Sequence, residues 1–234
     1  MFTGFGDELI PFFLDIRFHN DRSFMDANRK RYESAVRQPF YDFIGEMAPT
    51  LLSINPDFEL RPAKCLSRIN RDTRFSKDKS PYRDHLWVAF RKAAVEKDST
   101  PFYWFEISPE ELGWGVGMWG ENRPMFDAMR RRIVAQPDDF MKLLTLLQKR
   151  GFGADGEPWK KMPVPDGVPE ALIPLYRSKT LFFPKKKTEL SWILSSDIVR
   201  RVAEDYRAIA PIYHMLRGCA DEAMEAADEK GGEA

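Results

Sequence analysis

Between positions 68 and 85 the chain reads RINRDTRFSKDKSPYRDH, six basic and three acidic side chains in eighteen residues. Guanidinium groups present rigid forks that match phosphate or carboxylate oxygens, and lysines add point charges. The pattern points to an anionic small molecule held by Arg68, Arg71, Arg74, Lys77, Lys79 and Arg83, with Ser76 as a hydroxyl donor and Tyr82 as a donor or stacking ring. A rival reading uses the same residues. Each acid lies within one or two positions of a base, so Asp72, Asp78 and Asp84 can instead brace the segment through ion pairs and turn caps. The stretch is then structural, and the protein a non-catalytic interaction module.

From Arg61 to Lys92 ten bases stand against three acids, an excess of seven positive charges, whereas over the whole chain 36 bases balance 36 acids. The positive charge is therefore local. A neutral chain disfavours extended nucleic-acid contact, which needs a broad basic face, and leaves a nucleic-acid-binding protein or nuclease as an alternative. Glu106, inside the apolar run FYWFEI, invites a basic partner, with an arginine of the basic stretch expected, or general acid and base work. Together with Asp72 and Asp78 it makes the weak catalytic set; convergence of the three on Mg²⁺ would give a metal-dependent phosphoesterase. Their spacing specifies no metal ligand set, and no cofactor is expected.

Gly115, Gly117 and Gly120 satisfy GxGxxG, but the strand carrying them follows a hairpin instead of opening a strand–helix–strand unit, so Gly113, Gly115 and Gly117 are expected to clear one face of the strand for another backbone or a flat ligand. Of three histidines only His85 adjoins the basic run, and no Ser/His/Asp or Cys/His constellation can be assembled.

Several of these segments carry a resemblance. RDTRFSKDKSPY, the opening FTGFGDELIPFFLDIRFHND, the FMDANRKRYE segment, YWFEISPEELGWGVGMW and the later GE followed by WKK and a proline are similar to the conserved hypothetical protein family named domain of unknown function 2461. That family pattern has an asparagine pair and Trp-Phe early on, where this chain has His19-Asn20 and Ser23-Phe24. The resemblance implies a compact α+β protein and carries no reaction with it.

The elements that must position these residues follow from periodicity. Apolar residues at helical spacing, Leu9, Phe12, Phe13 and Ile16, then Phe24, Tyr32 and Val36, then Phe40, Phe43, Ile44 and Met47, predict N-terminal helices, with Ser23 as an N-cap. From Arg61 to Trp119 the period approaches two, which predicts a four-stranded antiparallel meander whose first strand carries Ala63, Cys65, Ser67 and Ile69, and whose first connection is the loop Thr73 to Tyr82. Asn122-Arg123-Pro124 and Pro137-Asp138-Asp139 open two helices, the second ended by Gly151; TLFF is a short strand candidate; a last helix starts near Ser195 or Ser196 and bends at Pro211. The fold expected is one α+β domain over residues 1–220, helices covering mainly one face of the sheet, followed by an acidic, flexible tail over 221–234.

At 43% hydrophobic and 31% charged, the chain can bury a core and stay soluble. No apolar run approaches ~18 residues, so no membrane span is expected. The opening residues lack a basic region and meet Asp7 and Glu8, unlike a signal peptide. Cys65 and Cys219 show no metal or disulfide spacing, which fits a cytoplasmic protein.

Overall fold

The computed structural model describes residues 2–93 and 99–231. It is α+β, with helices at both ends of the chain and a four-stranded antiparallel sheet in the order β1-β2-β3-β4. The chain falls into two compact units: Met1–Phe90, Trp104–Trp114 and Lys186–Glu204 form the first, and Arg91–Tyr103, Gly115–Lys185 and Asp205–Ala234 the second. The strands are β1 (Leu86–Phe90), β2 (Phe102–Ile107), β3 (Leu112–Met118) and β4 (Leu181–Lys187).

In the first unit, α1 (Leu9–Phe18) buries Leu9, Phe12, Phe13 and Ile16, the stripe its spacing predicts. Next, α2 (Arg22–Arg31) is capped by Asp21, whose carboxylate accepts from the Phe24 N–H at 2.8 Å; Ser23, the expected cap, instead donates its hydroxyl to that carboxylate at 2.6 Å. An ionised oxygen is the stronger acceptor, so the aspartate takes the capping place. A π-helical stretch, Tyr32–Arg37, joins α2 to α3 (Gln38–Ile54). Pro39 has no N–H for the carbonyl four residues back, and the wider turn lies directly before it. The core is aromatic: the Phe43 ring lies 4.4 Å from that of Phe105, and Phe5 packs on Phe40 at 4.9 Å.

The expected strand at residues 61–69 does not form. Pro62–Cys65 is a turn of helix, begun by a proline without a ladder donor, and the Cys65 thiol donates to the Glu59 carbonyl at 3.0 Å. What remains of the pairing is two isolated antiparallel bridges, Leu66 with Val88 and Asn70 with Tyr82. Ser67 partly substitutes for a ladder, since its hydroxyl accepts from the Trp87 N–H at 3.0 Å. The fourth strand comes from the TLFF segment, which extends through Lys187.

Period-two alternation marks the core side of β2, whereas β3 is buried along its whole length. Leu86, Val88 and Phe90, Tyr103, Phe105 and Ile107, and Leu112, Trp114, Val116 and Met118 are all fully buried, while Trp87, Trp104 and Glu106 alternate with them and are half-buried.

In the second unit, α4 (Arg123–Ala135) is capped by Asn122 and α5 (Pro137–Lys149) ends at Gly151, which adopts φ 75° as a helix-terminating glycine. The C-terminal helices α6 (Asp197–Ala208) and α7 (Ala210–Gly231) are separated at Ile209, two residues before the expected bend at Pro211, where the missing N–H would have served the Arg207 carbonyl. α7 packs against α4. The acidic segment from Asp221 continues α7 to Gly231, and Glu222 accepts from Arg131 at 2.6 Å and Arg132 at 3.1 Å. Its last three residues lie outside the described ones. No described helix is long and apolar enough to cross a membrane.

The glycines of β3 have a packing reason. A Cβ on Gly117 would lie 2.5 Å from Phe182 Cδ1 and 2.7 Å from the Leu181 carbonyl oxygen, so the glycine admits the backbone of β4. Gly45, exposed within α3, has nothing within 4 Å of its Cβ position. Urea denaturation is therefore expected to show Gly117→Ala destabilised by about 1–3 kcal/mol, because a carbonyl cannot rotate away, and Gly45→Ala stabilised by about 0.5–1 kcal/mol. Equal stability for the two variants would contradict this packing.

Candidate functional site

The 68–85 segment is a loop held shut by its own acids. Asp72 accepts from the Arg74 N–H at 3.2 Å, Nε at 3.0 Å and Nη2 at 2.7 Å, a turn cap and a bidentate pair at once. These bonds from Arg74 hold the Asp72 carboxyl down at about 2. Asp78 accepts from the Ser80 N–H at 2.9 Å and, with its other oxygen, from Arg71 across the loop. Lys79 Nζ donates to the Thr73 carbonyl at 2.8 Å and closes the turn. Short polar side chains that cap neighbouring N–H groups favour such turns locally.

Two further contacts seat the loop on the first unit. Asn20 uses both ends of its amide on one residue: Nδ2 donates to the Tyr82 carbonyl at 3.0 Å, and Oδ1 accepts from the Tyr82 N–H at 2.9 Å. Arg83 Nη1 donates to the carbonyls of Arg68 at 3.0 Å and Asn70 at 2.7 Å, and its guanidinium lies 4.9 Å from the centre of the Trp87 ring. Tyr82, expected to stack on a ligand, is buried at 6% exposure, so its ring is packed away and its main chain is the working part.

Among the described residues the cations divide into two sets. Arg71 and Arg74 are each committed to a carboxylate, whereas Arg68, Lys77, Lys79 and Arg83 have none as partner. Arg68, Lys77 and Lys79 are exposed, and Ser76 between them is half-buried.

Beside the loop, where it enters β1, lies a second polar cluster. Asp84 accepts from the Nε of Arg17, and the other two nitrogens of that guanidinium grip Glu110. The second oxygen of Asp84 faces His85 Nδ1 at 3.0 Å, and His85 Nε2 lies 3.7 Å from Glu106 Oε1. With Nδ1 donating to Asp84, Nε2 is the lone-pair nitrogen directed at Glu106. The His85 ring also stacks on Trp87, centres 5.9 Å apart. Burial pushes the Glu106 carboxyl up, against the pull of His85. Burial acts the same way on Asp84, but there the bonds from His85 and Arg17 win and the carboxyl is lowered.

Glu106 thus meets a histidine instead of the expected arginine, because Arg71, Arg74 and Arg83 are turned to Asp78, Asp72 and main-chain carbonyls and Arg68 is exposed. Asp72, Asp78 and Glu106 do not converge, and no group of three or more His, Cys, Asp or Glu among the described residues is placed to hold a metal ion. Sequence reasoning missed Arg17 and Asn20, which stand 67 and 62 residues from their partners and carry no spacing signal. The adjacent Asp84-His85 pair was the visible trace of the cluster.

The chain belongs to the conserved hypothetical protein family DUF2461, whose model matches residues 8–215. No curated protein matches it.

The cluster generates a pH dependence with a definite sign. A carboxyl raised above its ordinary 4.5 adds stability below that pH and loses it as the pH climbs through the folded value, because the unfolded chain ionises first. The charged or titratable neighbours setting this are His85, Glu111 and Lys186. Glu106→Gln should therefore gain stability relative to the native chain progressively from about pH 4.5 towards neutrality. Parallel stability curves for the two proteins over that range would show that Glu106 ionises normally.

Proposed function

We propose that this member of the DUF2461 family binds a phosphate- or carboxylate-bearing ligand through the cationic surface of residues 68–85. The carrying observation is the division of the cations: each acid of the loop is already engaged, yet Arg68, Lys77, Lys79 and Arg83 have no carboxylate partner among the described residues. The braces and the ligand reading are therefore compatible. Internal ion pairs and caps order the loop, and Arg68, Lys77 and Lys79 are left exposed on it. The two cysteines are free and buried, which supports a reducing cytoplasm.

A second reading adds catalysis, favoured by the Asp84–His85–Glu106 arrangement. Asp84 orients the imidazole, Nε2 serves as base, and Glu106, whose carboxyl is raised by burial, serves as acid. Turnover of p-nitrophenyl phosphate across pH, with His85→Asn and Glu106→Gln each lowering it about 10²–10⁴-fold, is the expected result. Absence of turnover by the native chain removes this second reading.

Thermal shift with inorganic phosphate, citrate and phosphorylated sugars tests the first. A ligand at ~100 times its dissociation constant should add about 2.7 kcal/mol to the native chain. The double variant Arg68→Ala/Lys77→Ala should lose that gain with little change in its ligand-free melting, whereas Arg74→Ala, which breaks the Asp72 brace and loosens the loop, should reduce the gain in part, also with little change in ligand-free melting. If the double variant responds to every anion as the native chain does, the segment is a structural brace and the interaction-module reading takes its place.

A further inference from the structure

Phe75 is 92% exposed, the most open of the large apolar side chains among the described residues, and it stands at the tip of the charged loop. A single exposed apolar residue is ordinary. This one differs in its setting. Arg74, held by two bonds to Asp72, places its guanidinium 5.7 Å from the centre of the Phe75 ring. The Asp78 cap on the Ser80 N–H and the Lys79–Thr73 bond close the loop that carries the ring. The result is an exposed aromatic ring on a braced segment that also carries the exposed cations Arg68, Lys77 and Lys79, the last of them bonded to the Thr73 carbonyl.

We propose that Phe75 is a stacking platform for a base of single-stranded nucleic acid, whose phosphates engage the flanking cations. The inference rests on the anion-binding reading of the same loop and names its partner. Single-strand binding combines cations that follow the backbone with aromatic rings that accept any base on a π face, and both parts are present within twelve residues of chain. A net charge of zero argues against a broad duplex footprint, but a few nucleotides need only local charge. A bilayer surface fits less well, because Thr73, Ser76, Lys77 and Asp78 around the ring are polar or charged and offer no further apolar anchor.

The test uses the full chain and measures fluorescence anisotropy with a labelled oligothymidine about twelve nucleotides long, competition by inorganic polyphosphate, and cosedimentation with phosphatidylserine vesicles. Phe75→Ala should weaken oligonucleotide binding about 5- to 100-fold, leave polyphosphate binding unchanged and be rescued by Phe75→Trp. Oligonucleotide binding that ignores Phe75→Ala, or is no tighter than that of polyphosphate, overturns the platform and leaves anion binding standing. Binding of neither polyanion overturns both. Phe75-dependent vesicle binding without oligonucleotide binding overturns the nucleic-acid assignment in favour of a lipid surface.

Discussion

One carboxylate, that of Asp84, holds two donors that the sequence keeps far apart. Arg17 reaches it from the end of α1, and His85 faces it from the start of β1. The aspartate therefore fixes where the charged loop ends and the sheet begins, and it sets which imidazole nitrogen faces Glu106. Without this contact the loop would still have its internal braces but no fixed exit. The Asn20 amide supplies the matching constraint one turn of chain earlier, by taking up both polar groups of the Tyr82 main chain. An amide is suited to this because it offers a donor and an acceptor side by side.

The loop shows how like residues are sorted into different work by small differences in position. Asp72 and Arg74 are two residues apart, close enough for one carboxylate to cap a backbone N–H and grip the guanidinium that follows. Arg71 and Asp78 meet only because the chain turns between them. All four are solvent-exposed to a third or more, and such pairs contribute little to global stability, so their effect is on the shape of the loop. Arg68 and Lys77, with the same charge, have no acid within reach and remain available.

What was legible in the sequence was whatever local chemistry dictates. The stripe of α1, the cap at Asn122, the helix-opening Pro137, the stop at Gly151 and the alternation around Phe105 are all properties of a few neighbouring residues. The expected strand at 61–69 failed for a reason that was also local, since Pro62 lacks a ladder donor and begins a helical turn, but the alternation around it masked the signal. The basic run announced a charged loop without saying which cations it consumes. That sorting depends on the turn geometry, and the partnership of Glu106 with His85 depends on strand pairing, neither of which spacing encodes. The glycines of β3 were readable as a demand for close approach; the backbone making that approach, Leu181 and Phe182, was not.

The bond from Lys79 to the Thr73 carbonyl has a kinetic side. It closes the loop through main chain, so the conformational entropy of ordering residues 73–79 is spent when the protein folds. A partner arriving at this loop meets a backbone already ordered and need not wait for a slow rearrangement. Its association rate then follows the local electrostatic field and falls as salt screens it, while the time it stays bound is set by how many contacts a rigid surface of this size can offer.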